Sequence, residues 1–329
     1  MTRYVLKRLA GAVLVLLALS VLVYALFYVA PGDPARLACG ERCNPQQIAQ
    51  VREQLGLKQS VFAQYLHFLQ GVLAGREYST GTGVLHCDAP CLGLSYQTDQ
   101  QVTELILDRL PATASLALGA MVIWLVVGIG TGLLSALRRG GLTERTLTVL
   151  TLAGTGTPVF ILGLLLLMAV CAYLQWLPFP TYVPLGEDPE QWAWNMLLPW
   201  LTLGFFESAK YARLTRSSTL ETLAEDHIRT FRAYGVGERS VVARHALRGA
   251  VPPVIALSAI DLGTMFGGAV LTESLFGIPG LGKTLIDGVR TIDLPIVVGI
   301  VLLTGVAVVL ANVVADLLYA LADRRVALT

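Results

Sequence analysis

The sequence predicts an all-α integral membrane protein with six transmembrane helices. Hydrophobic residues make up 54% of the 329 residues and charged residues only 14%, and the mean hydropathy is +0.64. A soluble protein of this size would have too few charges to cover its surface. Uncharged apolar stretches of roughly 20 residues, the length that crosses a bilayer, also recur along the chain. A net charge of +1 argues against a nucleic-acid partner, because phosphate binding needs a concentrated basic face.

The first predicted span covers residues 9–30, between Lys7-Arg8 and Asp33. A cleaved secretory signal is the alternative, but this apolar run is longer than the core of such a signal and no A-x-A-like site follows it. We therefore expect an uncleaved anchor. Four further spans are predicted from the uncharged stretches at residues 111–137, 146–177, 191–206 and 294–315, and a fifth from residues 249–271, which are broken only by Asp261.

These spans divide the chain into three predicted regions. Residues 1–30 form a tail and the first helix, residues 31–110 form an extracytoplasmic subdomain, and residues 111–329 form a five-helix core. Most of the 24 lysine and arginine residues fall in segments that lie on the side of the N-terminus. Because cytoplasmic loops accumulate these residues, both termini are predicted to face the cytosol.

The long outer loop is predicted to contain two helices of its own. Asn44 and Pro45 form an N-cap and first-turn pair that opens a helix over residues 46–55. Ser60 opens a second helix, which ends at Gly75. Capping residues and glycine stops of this kind are typical of helix ends, so we expect a small helical subdomain.

Four of the five cysteines lie in this outer loop as two C-x3-C pairs, and the predicted orientation places them in an oxidising compartment. We expect disulfides, and the sequence leaves all three pairings open. A metal site that combines these thiols with His86 is the rival interpretation. Cys171 lies in an apolar span and is predicted to pack as a small hydrophobe. The disulfide candidates are Cys39, Cys43, Cys87 and Cys91.

Residues 277–284 match the phosphate-loop pattern G-x-x-x-x-G-K-[ST]. A phosphate loop follows a strand and opens a helix, whereas here an apolar span precedes the pattern and Pro279 lacks a backbone N–H. We interpret it as an outer turn. The four histidines are scattered, and the sequence contains neither Cys-x-x-Cys nor G-x-S-x-G. We therefore expect no catalysis, metal or cofactor in this chain.

The longest polar insertion on the cytosolic side covers residues 207–250. Gly235 and Gly237 are predicted to stop a short amphipathic helix within it, and a second helix is expected from Ser240 to Arg248. The first helix either docks on a soluble partner or lies among lipid headgroups with its arginines on anionic lipid, and the residues alone do not decide. Its apolar residues at near-helical spacing are Leu220, Leu223, Ile228, Phe231 and Tyr234.

Asp261 is a charge within an apolar span, close to Gly263 and Gly267. Such charges cost about 2.5 to 3.5 kcal/mol at a helix centre on insertion scales, so they indicate either a transport pathway or a pair. Asp261 could face a cavity and meet the ammonium group of a peptide. The alternative, which we favour, is a carboxyl group hydrogen-bonded to a neighbouring helix.

Short motifs along nearly the whole chain resemble one family, the inner-membrane permease subunits of ATP-binding-cassette importers for dipeptides, oligopeptides and nickel. The motif after the first span is Ala30-Pro31-Gly32-Asp33-Pro34, and Arg244-His245-Ala246-Leu247-Arg248 closes the cytosolic insertion. The remaining matches are at residues 55–57, 64–65, 109–111, 156–158, 211–216 and 276–282.

This resemblance implies a type I importer transmembrane domain in a bacterial inner membrane. It also implies a second related permease subunit, two cytosolic ATPase subunits that bind ATP and Mg, an extracytoplasmic substrate-binding protein, and surrounding lipid. In this family the helix before the glycine docks on the ATPase, although Phe231 and Tyr234 stand here where small and basic residues are usual. The coupling residues that follow from the resemblance are Asp226, Arg229, Thr230, Phe231, Arg232, Ala233, Tyr234 and Gly235.

Two other function classes remain open on the sequence alone. A secondary transporter driven by an ion gradient would have paired, interrupted spans in two related halves, and no internal repeat is visible. A membrane scaffold would need no polar residues within its spans. The cargo, whether dipeptide, longer peptide, nickel chelate or another small solute, is not specified by the sequence.

Overall fold

A computed structural model describes residues 2–29, 35, 44–54, 59–80, 83–95, 97–138 and 140–322. Helices dominate these residues, as predicted. They are α1 (Thr2–Val29), α2 (Pro45–Gln54), α3 (Val61–Ala74), α4 (Val102–Leu137), α5 (Leu142–Gly156), α6 (Val159–Leu166), α7 (Pro189–Ala224), α8 (Asp226–Ala233), α9 (Glu238–Met265), α10 (Val270–Leu275), α11 (Leu281–Arg290) and α12 (Leu294–Ala322). A two-stranded antiparallel hairpin pairs β1 (Arg76–Thr80) with β2 (Gly83–Cys87).

Helices occupy all six positions where spans are predicted. Within the described residues, three helical stretches are long and apolar enough to cross a membrane, namely Val102–Leu137, Glu238–Met265 and Leu294–Ala315. Shorter apolar stretches, Val13–Ala25 and Val159–Tyr173, lie in the first and third predicted spans. The number of six crossings stays a prediction.

The predicted third and fifth spans differ from uniform helices. The third is interrupted at Pro158, whose backbone is extended (φ −58°, ψ 137°), so that α5 and α6 are separate helices. After α6 the chain forms a π-helical turn, Leu167–Tyr173. In the fifth span Pro252 and Pro253 lie inside α9 rather than ahead of it.

The fourth predicted span is also longer than expected. It forms the first half of α7, and the helix continues to Ala224. The first part of the predicted cytosolic insertion is therefore an extension of this helix. The second half of α7 is polar, so a prediction from apolar content alone ends the helix too early and assigns these residues to a loop.

By its internal contacts the chain forms two compact units. The first consists of residues 1–111 and 280–307. The Ser60 hydroxyl caps α3 by accepting a hydrogen bond from the Ala63 N–H, and Gly75 closes the helix at φ +80°. These ends confirm the predicted helix signals. The β1–β2 hairpin, in contrast, corrects the prediction of an entirely helical outer subdomain.

A disulfide joins Cys87 and Cys91. Cys39 and Cys43 lie outside the described residues. His86 lies 3.2 Å from Asp88 and 3.6 Å from Glu77. Among the described residues no cluster of three or more His, Cys, Asp or Glu side chains could hold a metal ion.

The second unit consists of residues 112–279 and 308–329. Trp124 on α4 is fully buried and stacks on buried Tyr211 of α7, with ring centroids 5.9 Å apart. Glu273 on α10 is also fully buried and accepts a hydrogen bond of 2.8 Å from the Thr113 hydroxyl of α4. Cys171 is buried and contacts the carbonyl of Pro178. The core of this unit thus contains aromatic and polar side chains whose partners lie on other helices.

Candidate functional site: the inner segment and its supporting helices

The predicted coupling residues lie in a short element between two long helices. We call residues 225–237 the inner segment, and we call α7 and α9 the supporting helices because they enter and leave it. The supporting helices pack along each other. They approach closely at Gly249, where an added Cβ atom would lie 2.7 Å from the Thr222 side chain.

The inner segment begins where Glu225 turns the chain into an extended conformation (φ −67°, ψ 149°) after α7. It ends in a Schellman motif, in which the N–H of Gly235 bonds to the Arg232 carbonyl (3.0 Å) and the N–H of Val236 bonds to the Phe231 carbonyl (3.1 Å). This motif needs a left-handed residue, and Gly235 supplies it at φ +75°. The predicted glycine stop at Gly235 is therefore confirmed.

Gly237 has a different role from the one predicted. Its backbone is extended (φ −60°, ψ 142°), and it precedes the first turn of α9. The Val241 N–H bonds back to its carbonyl at 3.1 Å. Gly237 therefore starts the second helix and does not stop the first.

One side of α8 is fixed against the protein. Ile228 is fully buried. Phe231 stacks on His245 of α9, with ring centroids 4.0 Å apart and planes at 25°. His227 approaches Phe231 edge-on at 6.1 Å and lies 3.0 Å from the Glu225 carboxylate. On the apolar side of α8, Ile228 is thus buried and Phe231 is half-buried by contacts within this chain.

The opposite side of α8 is open and of mixed charge. Tyr234 is 83% exposed, and the side chains of Arg229 and Asp226 are 74% and 96% exposed. Arg232 donates two hydrogen bonds to Glu238, of 2.6 Å and 3.1 Å. The hydrogen bond from Arg232 holds the pKa of the Glu238 carboxyl below its usual value. The same bond raises the pKa of the Arg232 guanidinium.

The structure brings all the predicted coupling residues together on α8, an eight-residue helix of about two turns, and its closing motif. Thr230 uses its hydroxyl internally, donating to the Asp226 carbonyl at 3.0 Å, and Ala233 is exposed. Two contributors were missed from the sequence, namely His245 and Glu238. Their partners, Phe231 and Arg232, are near in sequence, but nothing in the periodicity shows that the chain folds back after Gly235.

Asp261 lies on α9 and contacts the neighbouring helix α7. Its Oδ2 atom lies 2.7 Å from Lys210 Nζ and accepts a hydrogen bond of 2.6 Å from the Tyr211 hydroxyl. Lys210 also lies 2.8 Å from Glu207. These contacts agree with the alternative that we favoured, a carboxyl group held by a neighbouring helix. A role of Asp261 in a substrate path stays a prediction.

The phosphate-loop pattern lies between two helices and follows no strand. It runs from the end of α10 into α11, and Gly277 adopts φ +66°. The Thr284 hydroxyl, which would bind a metal ion in a phosphate loop, donates instead to the Gly280 carbonyl of its own helix at 2.8 Å. The local geometry therefore fits a turn between helices.

Comparison with known proteins gives two family matches and several full-length relatives. Residues 1–117 match the N-terminal part of the binding-protein-dependent transport system membrane components, and residues 128–328 match the binding-protein-dependent transport system inner membrane component family. A probable peptide ABC transporter permease from Sinorhizobium fredii is 33% identical over 323 residues, 98% of each chain. A glutathione transport system permease from Escherichia coli K12 is 36% identical over 320 residues, 97% of each chain.

One solved structure has a similar fold. It is an inward-facing form of the MetNI methionine ABC transporter, at a TM-score of 0.54 and 17% sequence identity. The alignment covers 68% of this chain and 98% of the other. At this identity the similarity concerns the fold, and it confirms the type I importer transmembrane architecture expected from the sequence.

Proposed function

The chain belongs to the binding-protein-dependent transport system inner membrane component family and is a permease of the peptide importer type, and from this premise we propose that it imports dipeptides or oligopeptides and receives the driving force through α8. The relatives named for peptide and glutathione transport support this class of cargo. Nickel chelates and other small solutes are alternative cargoes.

A single observation carries the coupling role, namely that α8 is anchored on its apolar side and open on its charged side. An interfacial helix would direct its apolar face toward the acyl chains. In α8 the apolar side chains of Ile228 and Phe231 are already packed within the protein. What remains is a surface with one large aromatic side chain, Tyr234, and two exposed arginines, Arg229 beside Asp226 and Arg232 beside Glu238. Tyrosine and arginine are the residue types that dominate protein–protein binding energy, so this surface fits a protein partner.

The proposed partner at this surface is a cytosolic ATPase subunit. The complete transporter would contain two of these, a second related permease subunit and an extracytoplasmic substrate-binding protein. Both termini and the inner segment would lie in the cytosol. A second permease subunit is also needed on physical grounds, because one set of helices must satisfy its own backbone in lipid and cannot easily enclose a peptide-sized path.

In this mechanism the permease hydrolyses nothing itself. ATP binding closes the two ATPase subunits and brings the two inner segments toward each other, and the supporting helices carry this movement into the membrane. The path then opens outward to accept substrate from the binding protein, and ATP hydrolysis resets it. The chain contributes α8, which transmits the movement, and half of the translocation path, while ATP and Mg are held by the ATPase subunits.

The test is to remove the exposed aromatic side chain of the inner segment. Tyr234→Ala should weaken ATPase binding by about thirtyfold in Kd, because an aromatic hot spot contributes about 2 kcal/mol or more. The matched control is Tyr173→Ala, since Tyr173 is exposed to a similar extent (87%) but lies outside the inner segment. The measurement is ATPase co-purification, followed by ATP-dependent uptake of radiolabelled dipeptide and glutathione into proteoliposomes.

Two results would contradict the proposal. If the Tyr234 and Tyr173 variants bind the ATPase equally well, the inner segment is not the docking surface. If the chain alone takes up substrate in response to an ion gradient, without nucleotide, it is a secondary transporter.

A further inference from the structure

A charged contact joins the two supporting helices far from the inner segment. Lys210 on α7 lies 2.7 Å from Asp261 on α9, and Tyr211 donates a hydrogen bond to the same carboxylate oxygen. Lys210 also contacts Glu207, but this second pair lies within α7. The Lys210–Asp261 bridge is thus the ionic link between the helices in this cluster.

The bridge is one of two fixed points along the same helix pair. At the other point, near the inner segment, Gly249 lies directly against Thr222. The two points are twelve residues apart on each helix, from Lys210 to Thr222 on α7 and from Gly249 to Asp261 on α9. This spacing is about 18 Å of helix axis. Because Lys210 meets Asp261 and the later residue Thr222 meets the earlier residue Gly249, the helices run antiparallel. Equal spacing on both helices means that they stay in register between the two points.

A weak place in α9 lies between these fixed points. Pro252 and Pro253 are inside the helix, where proline removes a backbone hydrogen bond and is the usual cause of a kink. If α9 were held only at Gly249, a push from the inner segment could be absorbed by bending at the two prolines. With both points fixed, α7 supports α9 across the proline pair.

We infer that Lys210 is a positioning residue for energy coupling, acting through Asp261 to make the supporting helices move as one body. The inference rests on the proposed function, since it concerns how movement of α8 reaches the membrane. The chemistry of the bridge suits this role, because separating the pair takes the cation Lys210 away from the Asp261 carboxylate, whose side chain is only 16% exposed. The Tyr211 hydroxyl adds a second link from the same helix. The bridge therefore resists the separation that bending of α9 would require.

The experiment measures how much ATP is used for each substrate molecule transported by the purified, assembled transporter. The substrate is a radiolabelled dipeptide or glutathione, whichever the unaltered complex takes up. Lys210→Met and Asp261→Asn should each raise the ATP-to-substrate ratio by roughly fivefold or more, the lower range of coupling between sites. The exchange Lys210→Asp with Asp261→Lys should bring the ratio back toward the unaltered value. The substrate concentration for half-maximal uptake should not change.

Glu207→Gln provides the matched control. It removes a carboxylate at nearly the same distance from Lys210, 2.8 Å against 2.7 Å, but one that does not bridge the helices, so the ratio should stay near the unaltered value. Asp261→Asn keeps an acceptor for Tyr211, so it tests the inference even if Lys210→Met does not assemble.

Three outcomes would overturn the inference. Equal effects of Glu207→Gln and Asp261→Asn would show that local charge matters and the bridge does not. A raised half-maximal concentration with an unaltered ratio would mean that the cluster contacts substrate. A ratio that stays high in the exchanged pair would exclude the ionic link as the cause. If the unaltered chain binds no ATPase at all, the proposed function is wrong. This result is seen before any variant is made, so it is distinguishable from a failure of the inference about Lys210.

Discussion

The β1–β2 hairpin and the inner segment are both polar insertions between apolar helices, yet they are held in different ways. The hairpin is fixed by local bonds, including a register that runs from Arg76 opposite Cys87 to Thr80 opposite Gly83, and the disulfide from Cys87 to Cys91. The inner segment contains no cysteine and so has no disulfide. It depends on the buried Ile228 side chain, the stack of Phe231 on His245, and the Schellman motif at Gly235.

This difference indicates what each region is built to do. A region closed by its own short-range bonds keeps its shape regardless of its surroundings. A region that takes its position from two long helices moves when those helices move, and few contacts need to break. The β1–β2 hairpin is suited to a fixed surface, whereas the inner segment is suited to transmitting displacement.

The largest expected effect comes from the buried contact of the inner segment. Ile228→Ala should destabilise the packed position of α8 by about 2 to 5 kcal/mol, the usual range for truncating a buried isoleucine. We expect faster hydrogen exchange over residues 225–240 and a loss of ATP-dependent uptake, measured by mass spectrometry and by transport in proteoliposomes. Exchange over the β1–β2 hairpin should not change.

Ile228→Val serves as a graded control, since removing a single methylene costs about 0.5 to 1.5 kcal/mol. Exchange should then increase to an intermediate extent. If Ile228→Ala also loosens the hairpin, the two regions are not held independently, and the comparison between them fails.

A pair of glycine substitutions compares the two regions directly. Gly75 and Gly235 both have positive φ, +80° and +75°. A Cβ atom at Gly75 would also lie 2.8 Å from the Cys87 carbonyl oxygen, whereas at Gly235 it would meet no atom within 4 Å. Gly235→Ala should therefore cost about 1 to 2 kcal/mol from backbone strain alone. Gly75→Ala should cost more, because a backbone clash is added to the strain.

The measurement for this pair is local hydrogen exchange in each variant, with the unaltered chain as reference. The hairpin should lose protection in Gly75→Ala more than the inner segment does in Gly235→Ala. The opposite ranking would mean that the hairpin shifts easily and is not the more rigid of the two regions.

The helical class and the capped helix α3 could be predicted because their signals are local. Ser60 and Gly75 mark both ends of α3 in the sequence as in the structure. The β1–β2 hairpin could not be predicted in the same way, because each strand has only five residues. So short a run barely shows the alternation that distinguishes a strand. The extension of α7 beyond its predicted span was missed for a related reason, since apolar content ends well before the helix does.

In the candidate site, too, the features set by spacing along one helix could be predicted, whereas the contacts between helices could not. The glycine stop at Gly235 and the apolar face with Ile228 and Phe231 follow from spacing along one helix. The partners of Asp261 lie fifty residues away on α7, and no periodicity relates them. The sequence showed only that a carboxylate in an apolar span needs a partner, and the identification of Lys210 and Tyr211 required the fold.

The smallest expected effect concerns the exposed pair that closes the inner segment. Arg232 lowers the pKa of Glu238, so this pair contributes stability above the ordinary glutamate pKa of about 4.3. That contribution is lost as the pH falls through the lower, folded value. Both side chains are partly exposed (42% and 59%), so solvent screening limits the contribution to less than about 1 kcal/mol. Glu238→Gln should therefore raise hydrogen exchange over residues 230–240 only slightly at pH 7, and the difference from the unaltered chain should vanish once the pH has fallen below the lowered pKa of the Glu238 carboxyl. A difference that persists there would mean that Glu238 acts through packing, and the inner segment would then have a third anchor beside Ile228 and Phe231.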